Sequence, residues 1–206
     1  MQQPFLVGAK AYLRAVIPSD LDGPYLGWLN DQETARFLDT GRFPMTRKSL
    51  EEALQANQME SVWLAIVDRK TDKHIGNIKL GPIQWVHRCG SLGILIGDRQ
   101  YRGKGYAREA MELVLKHAFT QLGLNKVTAG AYGEHVACLG LFKRLGFSVE
   151  GRQRSHLYRD GAYHDKVLMG LLREDYLIRH TEAGEAKRMT ARRRIKAPQA
   201  MAPVSI

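Results

Sequence analysis

The sequence predicts a mixed α/β protein built on a single, mostly antiparallel sheet flanked by helices. Three observations lead there. Apolar runs of strand length recur along the chain, at 12–17, 62–67, 74–80, 92–96, 126–132 and 167–171. Two segments carry apolar residues at helical spacing instead, the clearest being Ala107, Ala110, Met111, Val114, Leu115, Ala118, Phe119 and Leu122. Finally, the runs at 62–67 and 74–80 are joined by the polar stretch Asp68-Arg69-Lys70-Thr71-Asp72-Lys73, which is long enough for a hairpin and too short for a crossover. With no internal repeat, this order fits one layered sheet.

Taken in order, Pro18-Ser19-Asp20 stops the first strand. Leu21 to Asn30 reads as one short helix with Tyr25, Trp28 and Leu29 on a face, and Gln32 to Leu38 adds one more turn. Thr46, three residues before Ser49, opens a further helix through Leu50, Ala53 and Leu54. Ile83 to Val86 continues the sheet, and Leu92 to Ile96 is dense enough in apolar residues to be a buried strand. Gly123 suits the position after the long helix, and Gly146 ends a second helix from Ala137 to Leu145. Phe147 to Val149 and Val167 to Leu171 read as late strands, with Arg159-Asp160-Gly161-Ala162 as a turn. The reading gives one domain, 1–180, and a basic tail, 181–206, whose two prolines and scarcity of large apolar residues predict disorder.

Bulk properties narrow the function. A chain of 206 residues, 44% hydrophobic, can bury a substantial core. No apolar run approaches the roughly 18 residues of a membrane span, and Met1-Gln2-Gln3-Pro4 lacks the basic-then-apolar start of a secretory signal. A cytoplasmic protein without membrane partners is expected. Cys89 and Cys138 lack paired metal-ligand spacing, so free thiols and no metal site are expected. The net charge is +10, but from Thr181 onward six basic residues face two acidic ones, which leaves +6 on the rest. That distribution weakens a nucleic-acid reading and suits an anionic ligand with several phosphates.

The stretch that carries chemistry is Arg102-Gly103-Lys104-Gly105-Tyr106-Ala107, between a buried strand and a long helix. The first amides of a helix have no intrahelical partner, and its dipole makes that end positive. Glycines let a ligand approach the backbone, and Arg102 and Lys104 add charge. The product is an anion site suited to a pyrophosphate. The spacing is neither the dinucleotide-binding nor the P-loop pattern.

With these residues, the sequence resembles the GCN5-related N-acetyltransferase (GNAT) family, in particular its ribosomal-protein-alanine acetyltransferase-like branch. Arg102-x-x-Gly105-x-Ala107 matches the family signature, and Leu124-Asn125-Lys126-Val127, Leu141-Phe142-Lys143-Arg144-Leu145-Gly146-Phe147, Glu150-Gly151, Asp160-Gly161 and Leu168-Met169 match its later landmarks. The resemblance implies a GNAT fold whose central strands splay to admit acetyl-CoA. It implies that Leu95 and Ile96 pair with the pantetheine arm, that 102–107 (Arg102, Gly103, Lys104, Gly105, Tyr106, Ala107) hold the pyrophosphate, and that His135, Cys138 and Phe142 flank the thioester end. A homodimer is common in the family.

The chain departs from the family pattern where the chemistry happens. His135 stands where relatives often carry Asn, Cys138 where they carry Ser or Ala, and Phe142 where many carry the Tyr that protonates the leaving thiolate. Ser91 replaces a carboxylate found in some relatives. The mechanism implied is direct attack by a neutral amine, with a backbone N–H near Ile96 on the oxyanion. His87, Glu134 and His156 are candidate bases, and Cys138, Tyr132 or solvent candidate acids. The run Ile75 to Ile83 with Trp85 and His87 resembles acetyltransferases acting on nucleotide-linked amino sugars, so such a sugar is the expected acceptor, with Trp85, His87, His156 and Tyr158 as candidate contacts. An N-terminal (ribosomal) protein amine is the alternative acceptor. A ribosome- or nucleic-acid-binding protein using the tail is the alternative of another kind. A polyamine site should be acidic, and the chain as a whole is not.

Overall fold

An eight-stranded sheet organises the molecule. The computed structural model describes residues 3–56 and 60–181. By contacts the chain divides into two units after Arg173. Of the second unit, residues 174–181 are helical; the predicted tail from 182 onward lies outside the described residues.

In the first unit, strands β1 (Leu6–Val7), β2 (Ala11–Ala15), β3 (Val62–Asp68), β4 (His74–Gln84) and β5 (Cys89–Ile96) form an antiparallel run. β6 (Lys126–Tyr132) then joins β5, and β8 (Ala162–Leu172) and β7 (Ser148–Arg159) complete the order β1-β2-β3-β4-β5-β6-β8-β7. Only β5 and β6 are parallel, and they pair only over Cys89–Ser91 against Lys126–Thr128. Beyond that point the two central strands diverge, while β5 stays bonded to β4 as far as Gly76↔Ile96. The sheet therefore opens at its centre, as the sequence resemblance implies.

The helices are α1 (Pro18–Leu21), α2 (Pro24–Asn30), α3 (Arg47–Ala56), α4 (Tyr106–Thr120) and α5 (Val136–Leu145). The single helix expected over 21–30 is two, because Pro24 cannot donate an amide and starts a fresh first turn after Gly23. α3 begins as the sequence predicts: Ser49 N–H donates to Thr46 Oγ1 at 3.1 Å while Thr46 N–H donates to Ser49 Oγ at 3.0 Å. α4 buries its predicted stripe, with Ala110, Met111, Val114, Leu115, Ala118 and Phe119 each no more than 1% exposed. Each side chain of Leu or Phe size contributes roughly 1.5–3 kcal/mol through this burial. Under the first half of the sheet, Leu21, Tyr25, Leu29 and Leu50 form a core cluster against Trp28, Trp63 and Leu95.

Two expectations are corrected. The strand predicted over Ile83 to Val86 ends at Gln84; Trp85 and Val86 lie in a tight turn and are 47% and 91% exposed. The late strands are far longer than Phe147–Val149 and Val167–Leu171. β7 is an edge strand exposed along most of its length, so it carries no apolar alternation for a sequence pattern to reveal. Its stability comes from the ladder to β8, which runs from Ser148↔Gly170 to Arg159↔Ala162.

Candidate active site

The opening between β5 and β6 is the candidate site. A cleft of about 580 Å³ is lined by Leu92–Ile96 on one side and Gly130, Ala131 and Tyr132 on the other. The start of α4, the inner face of α5 and the segment after α2 close it. This size suits an elongated ligand. Along Leu92–Ile96 the edge facing β6 has lost its strand partner, which leaves backbone groups for an extended ligand to pair with. Ile96 contributes less than expected, because its carbonyl already accepts Arg102 Nε at 2.9 Å.

The glycine turn is shaped by backbone conformation. Gly103 has φ +73° and Gly105, the residue capping α4, has φ +89°, in the region that side chains with a Cβ rarely adopt. A Cβ at Gly103 would meet nothing within 4 Å, so the turn presents open backbone to the cleft. Three anchors hold it. Tyr106 O–H donates to Asp68 at 2.7 Å, and this bond to a carboxylate pushes the phenol up to about 12. Glu109, in the first turn of α4, accepts the amides of Ala9, Lys10 and Ala11. Arg102 Nη2 donates to Thr34 Oγ1 at 3.1 Å and so ties the turn to the segment after α2. Arg108 and Arg144 also line the cleft. Helix amides with two guanidinium groups are a donor set that fits the phosphates of acetyl-CoA.

At the far wall, Tyr132, His135 and Phe37 form one aromatic group. The His135 ring stacks on Phe37 at 4.0 Å, and Tyr132 meets Phe37 edge-on at 5.5 Å. Arg42 Nη2 donates to the Tyr132 oxygen at 2.7 Å, and the Arg159 guanidinium lies 4.7 Å over the Tyr132 ring. Burial pushes the His135 imidazole below its ordinary value, with Glu134 opposing. Burial pushes the Cys138 thiol up to about 11. Such a thiol stays protonated and is a poor acyl carrier.

Among the residues singled out in the sequence, Leu95, Ile96, Arg102, Gly103, Gly105, Tyr106, Ala107, His135, Cys138 and Phe142 come together around this cleft. Lys104 does not line it; its carbonyl accepts the Lys10 ammonium at 2.7 Å. Trp85 and His87 sit in the turn at the Cys89 end of β5, whereas the cleft lies along its Leu92–Ile96 end. His156 and Tyr158 are exposed on β7, Tyr158 against Tyr163 with ring centroids 5.1 Å apart. Glu134 pairs with Arg159 at 2.7 Å and His164 at 2.9 Å. Desolvation raises its pKa, but hydrogen bonds from its own backbone and from Arg159 outweigh that and hold the carboxyl below the usual range. Phe37, Thr34 and Arg42 were missed. They lie between α2 and α3: Thr34 and Phe37 fall in the single turn read over 32–38 and Arg42 outside any expected element, and no motif there marks them as functional.

Among the described residues both cysteines are free, no cluster has the makings of a metal site, and no helix is long and apolar enough to cross a membrane.

Comparison with known proteins agrees with this geometry. The acetyltransferase (GNAT) domain model matches residues 10–148. An uncharacterized prophage-derived N-acetyltransferase of Bacillus subtilis, YokL, is 27% identical over 87% of this chain and 99% of its own length. The spermidine N(1)-acetyltransferase of Escherichia coli is 32% identical over 53% of this chain, a match that spans only 59% of that enzyme. The crystal structure of the Vibrio cholerae spermidine N-acetyltransferase in complex with CoA and spermine superposes with a TM-score of 0.75 at 25% identity, over 82% of this chain and 99% of that one. The chain belongs to the GNAT acetyltransferase family and is an acetyl-CoA-dependent N-acetyltransferase.

Proposed function

We propose that the chain transfers acetyl from acetyl-CoA to a primary amine of the polyamine class, inside the cleft between β5 and β6. The observation that carries the reaction is the open edge of Leu92–Ile96 leading from the positive-φ turn at Gly103–Gly105 to the Tyr132–His135 wall. What supports the acceptor class is kinship with enzymes named for spermidine. A nucleotide-linked amino sugar does not fit: Trp85, His87, His156 and Tyr158, its expected contacts, are not among the cleft residues, and no relative reported above is named for such a sugar. Net charge does not count against a polyamine, since a whole-chain charge says nothing about one cleft, and Glu33 lines this one.

In this reading the turn at 102–107 and Arg108 and Arg144 hold the donor's phosphates, and the β5 edge aligns its arm. His135, kept neutral by its burial, takes the proton the amine loses as it attacks. The backbone near Ile96 faces the oxyanion. The experiment is thiol release from acetyl-CoA with purified chain and putrescine, spermidine or spermine. Turnover well above the rate of hydrolysis is expected; none with any of the three removes the polyamine reading.

A second reading has its own observation. Arg42 and Arg159 flank Tyr132, and Asp31 and Glu33 are both ion-paired to Arg99, at 2.8 and 2.7 Å. That balance suits an amine carrying its own anionic group, such as a peptide N-terminus. Peptide acetylation faster than spermidine acetylation would select it. Homodimerisation stays a proposal, to be measured by light scattering.

A further inference from the structure

Phe142 has no proton to give, so the thiolate that leaves acetyl-CoA needs another donor. Tyr132 is the last residue of β6, 3% exposed, and lines the cleft. Its phenolic oxygen accepts from Arg42 at 2.7 Å, and an arginine cannot accept in return. Among the described residues no group accepts the Tyr132 proton, so that proton is uncommitted. The backbone carbonyl of Tyr132 accepts the His135 amide at 2.9 Å, so both side chains leave the same tight turn. Phe37 packs against both rings and fixes their directions.

The geometry points to Tyr132 as the acid that protonates the departing CoA thiolate, with Arg42 as the residue that positions its hydroxyl. This assignment rests on the cleft being the place of acetyl transfer to an amine. The neutral amine attacks the thioester carbon, a C–N bond forms, and the carbonyl electrons move onto oxygen. The nitrogen gives a proton to His135. The oxyanion collapses, the C–S bond breaks, and sulfur takes the Tyr132 proton as its electron pair arrives. The phenolate left behind faces the Arg42 guanidinium and regains a proton from the His135 imidazolium through solvent water. The products are amide and free CoA thiol, and every group returns to its starting state.

The test compares two acetyl donors, with whichever amine the unaltered chain acetylates as acceptor. A wrong acceptor class then shows as an inactive parent protein, and a wrong acid as a defect that ignores the leaving group. With acetyl-CoA, Tyr132→Phe is expected to lower kcat by roughly 100-fold while the KM for acetyl-CoA stays within about twofold. With an acetyl aryl thioester, whose thiolate leaves without a proton, the loss should shrink to below about threefold. Arg42→Met should show the same leaving-group dependence at smaller amplitude. Equal losses with both donors would overturn the assignment, as would an acetyl-CoA loss below about threefold. Should Tyr132→Phe fail to fold, 3-fluorotyrosine at 132 preserves shape and hydroxyl. Its more acidic phenol should move the alkaline limb of kcat to lower pH, and an unmoved limb overturns the assignment.

Discussion

The two walls of the cleft are built on different principles. The wall proposed for the donor is backbone: an unpaired strand edge at Leu92–Ile96 and a glycine turn whose φ values exclude most residues. The wall proposed for the acceptor is side chain: Phe37, Tyr132 and His135 packed together, with Arg42 and Arg159 around them. A backbone wall binds what all acetyl-CoA enzymes share. A side-chain wall can change residue by residue without disturbing the backbone wall opposite it. A third feature stands apart from both walls, on β2 and α1: the buried ion pair of Arg14 and Asp20, bonded at 2.6 and 2.7 Å with His74 Nδ1 3.5 Å away.

The largest effect expected is the loss of that pair. Asp20→Asn removes one charge and leaves Arg14, 7% exposed, uncompensated. A loss of about 3–5 kcal/mol is expected, read as a fall in Tm of roughly 10 °C. The pair also sets an acid limit. Desolvation raises the Asp20 pKa, but hydrogen bonds from Arg14 and the Ile17 amide outweigh it and keep the carboxyl below its ordinary value. Its contribution is therefore complete above the unfolded value of about 3.9 and is lost as pH falls through the lower folded value. Denaturant melts of the parent and Asp20→Asn from pH 7 to 2 should converge; parallel curves would remove the pair from the stability of the fold.

Next comes the acceptor wall. His135→Gln should lower kcat by about 100-fold and flatten the acid limb of its pH profile. The sign follows from burial, which lowers the imidazole's pKa, so that activity is held to below neutral pH and falls as pH drops through the shifted value. An unchanged acid limb would assign that limb to another group. On the donor wall, Gly105→Val forces a branched side chain to φ +89°. About 1–3 kcal/mol of strain falls on the turn, and acetyl-CoA affinity should drop at least roughly tenfold with the amine KM unchanged. A drop in amine affinity instead would place the turn on the wrong wall. The smallest effect belongs to Cys138→Ala: its thiol, at about 11, carries no acyl group, so kcat should stay within about threefold. Isolation of an acetylated Cys138 would reverse that.

The same contrast explains what was legible in the sequence. α4 could be read to within a residue at its start because its apolar stripe and the glycine turn are local signals, and β6 was placed at Lys126–Tyr132 for the same reason. The splay at Ser91 and Thr128 came only through the family resemblance, since no single strand records where its neighbour departs. The acceptor wall was hardly legible. Phe37 and His135 are 98 residues apart and meet only because the sheet brings the segment after α2 over the start of α5. His87 is singled out in the sequence through the resemblance of the run Ile75 to Ile83 with Trp85, while strand direction puts it at the other end of β5 from the cleft.

The most direct measurement is calorimetric titration of acetyl-CoA into the parent chain, Gly105→Val and His87→Ala. Binding in the cleft predicts saturable heat for the parent, the same affinity within about twofold for His87→Ala, and affinity at least roughly tenfold weaker for Gly105→Val. Equal affinity in all three proteins, or loss on His87→Ala alone, would contradict a donor site at the β5–β6 opening.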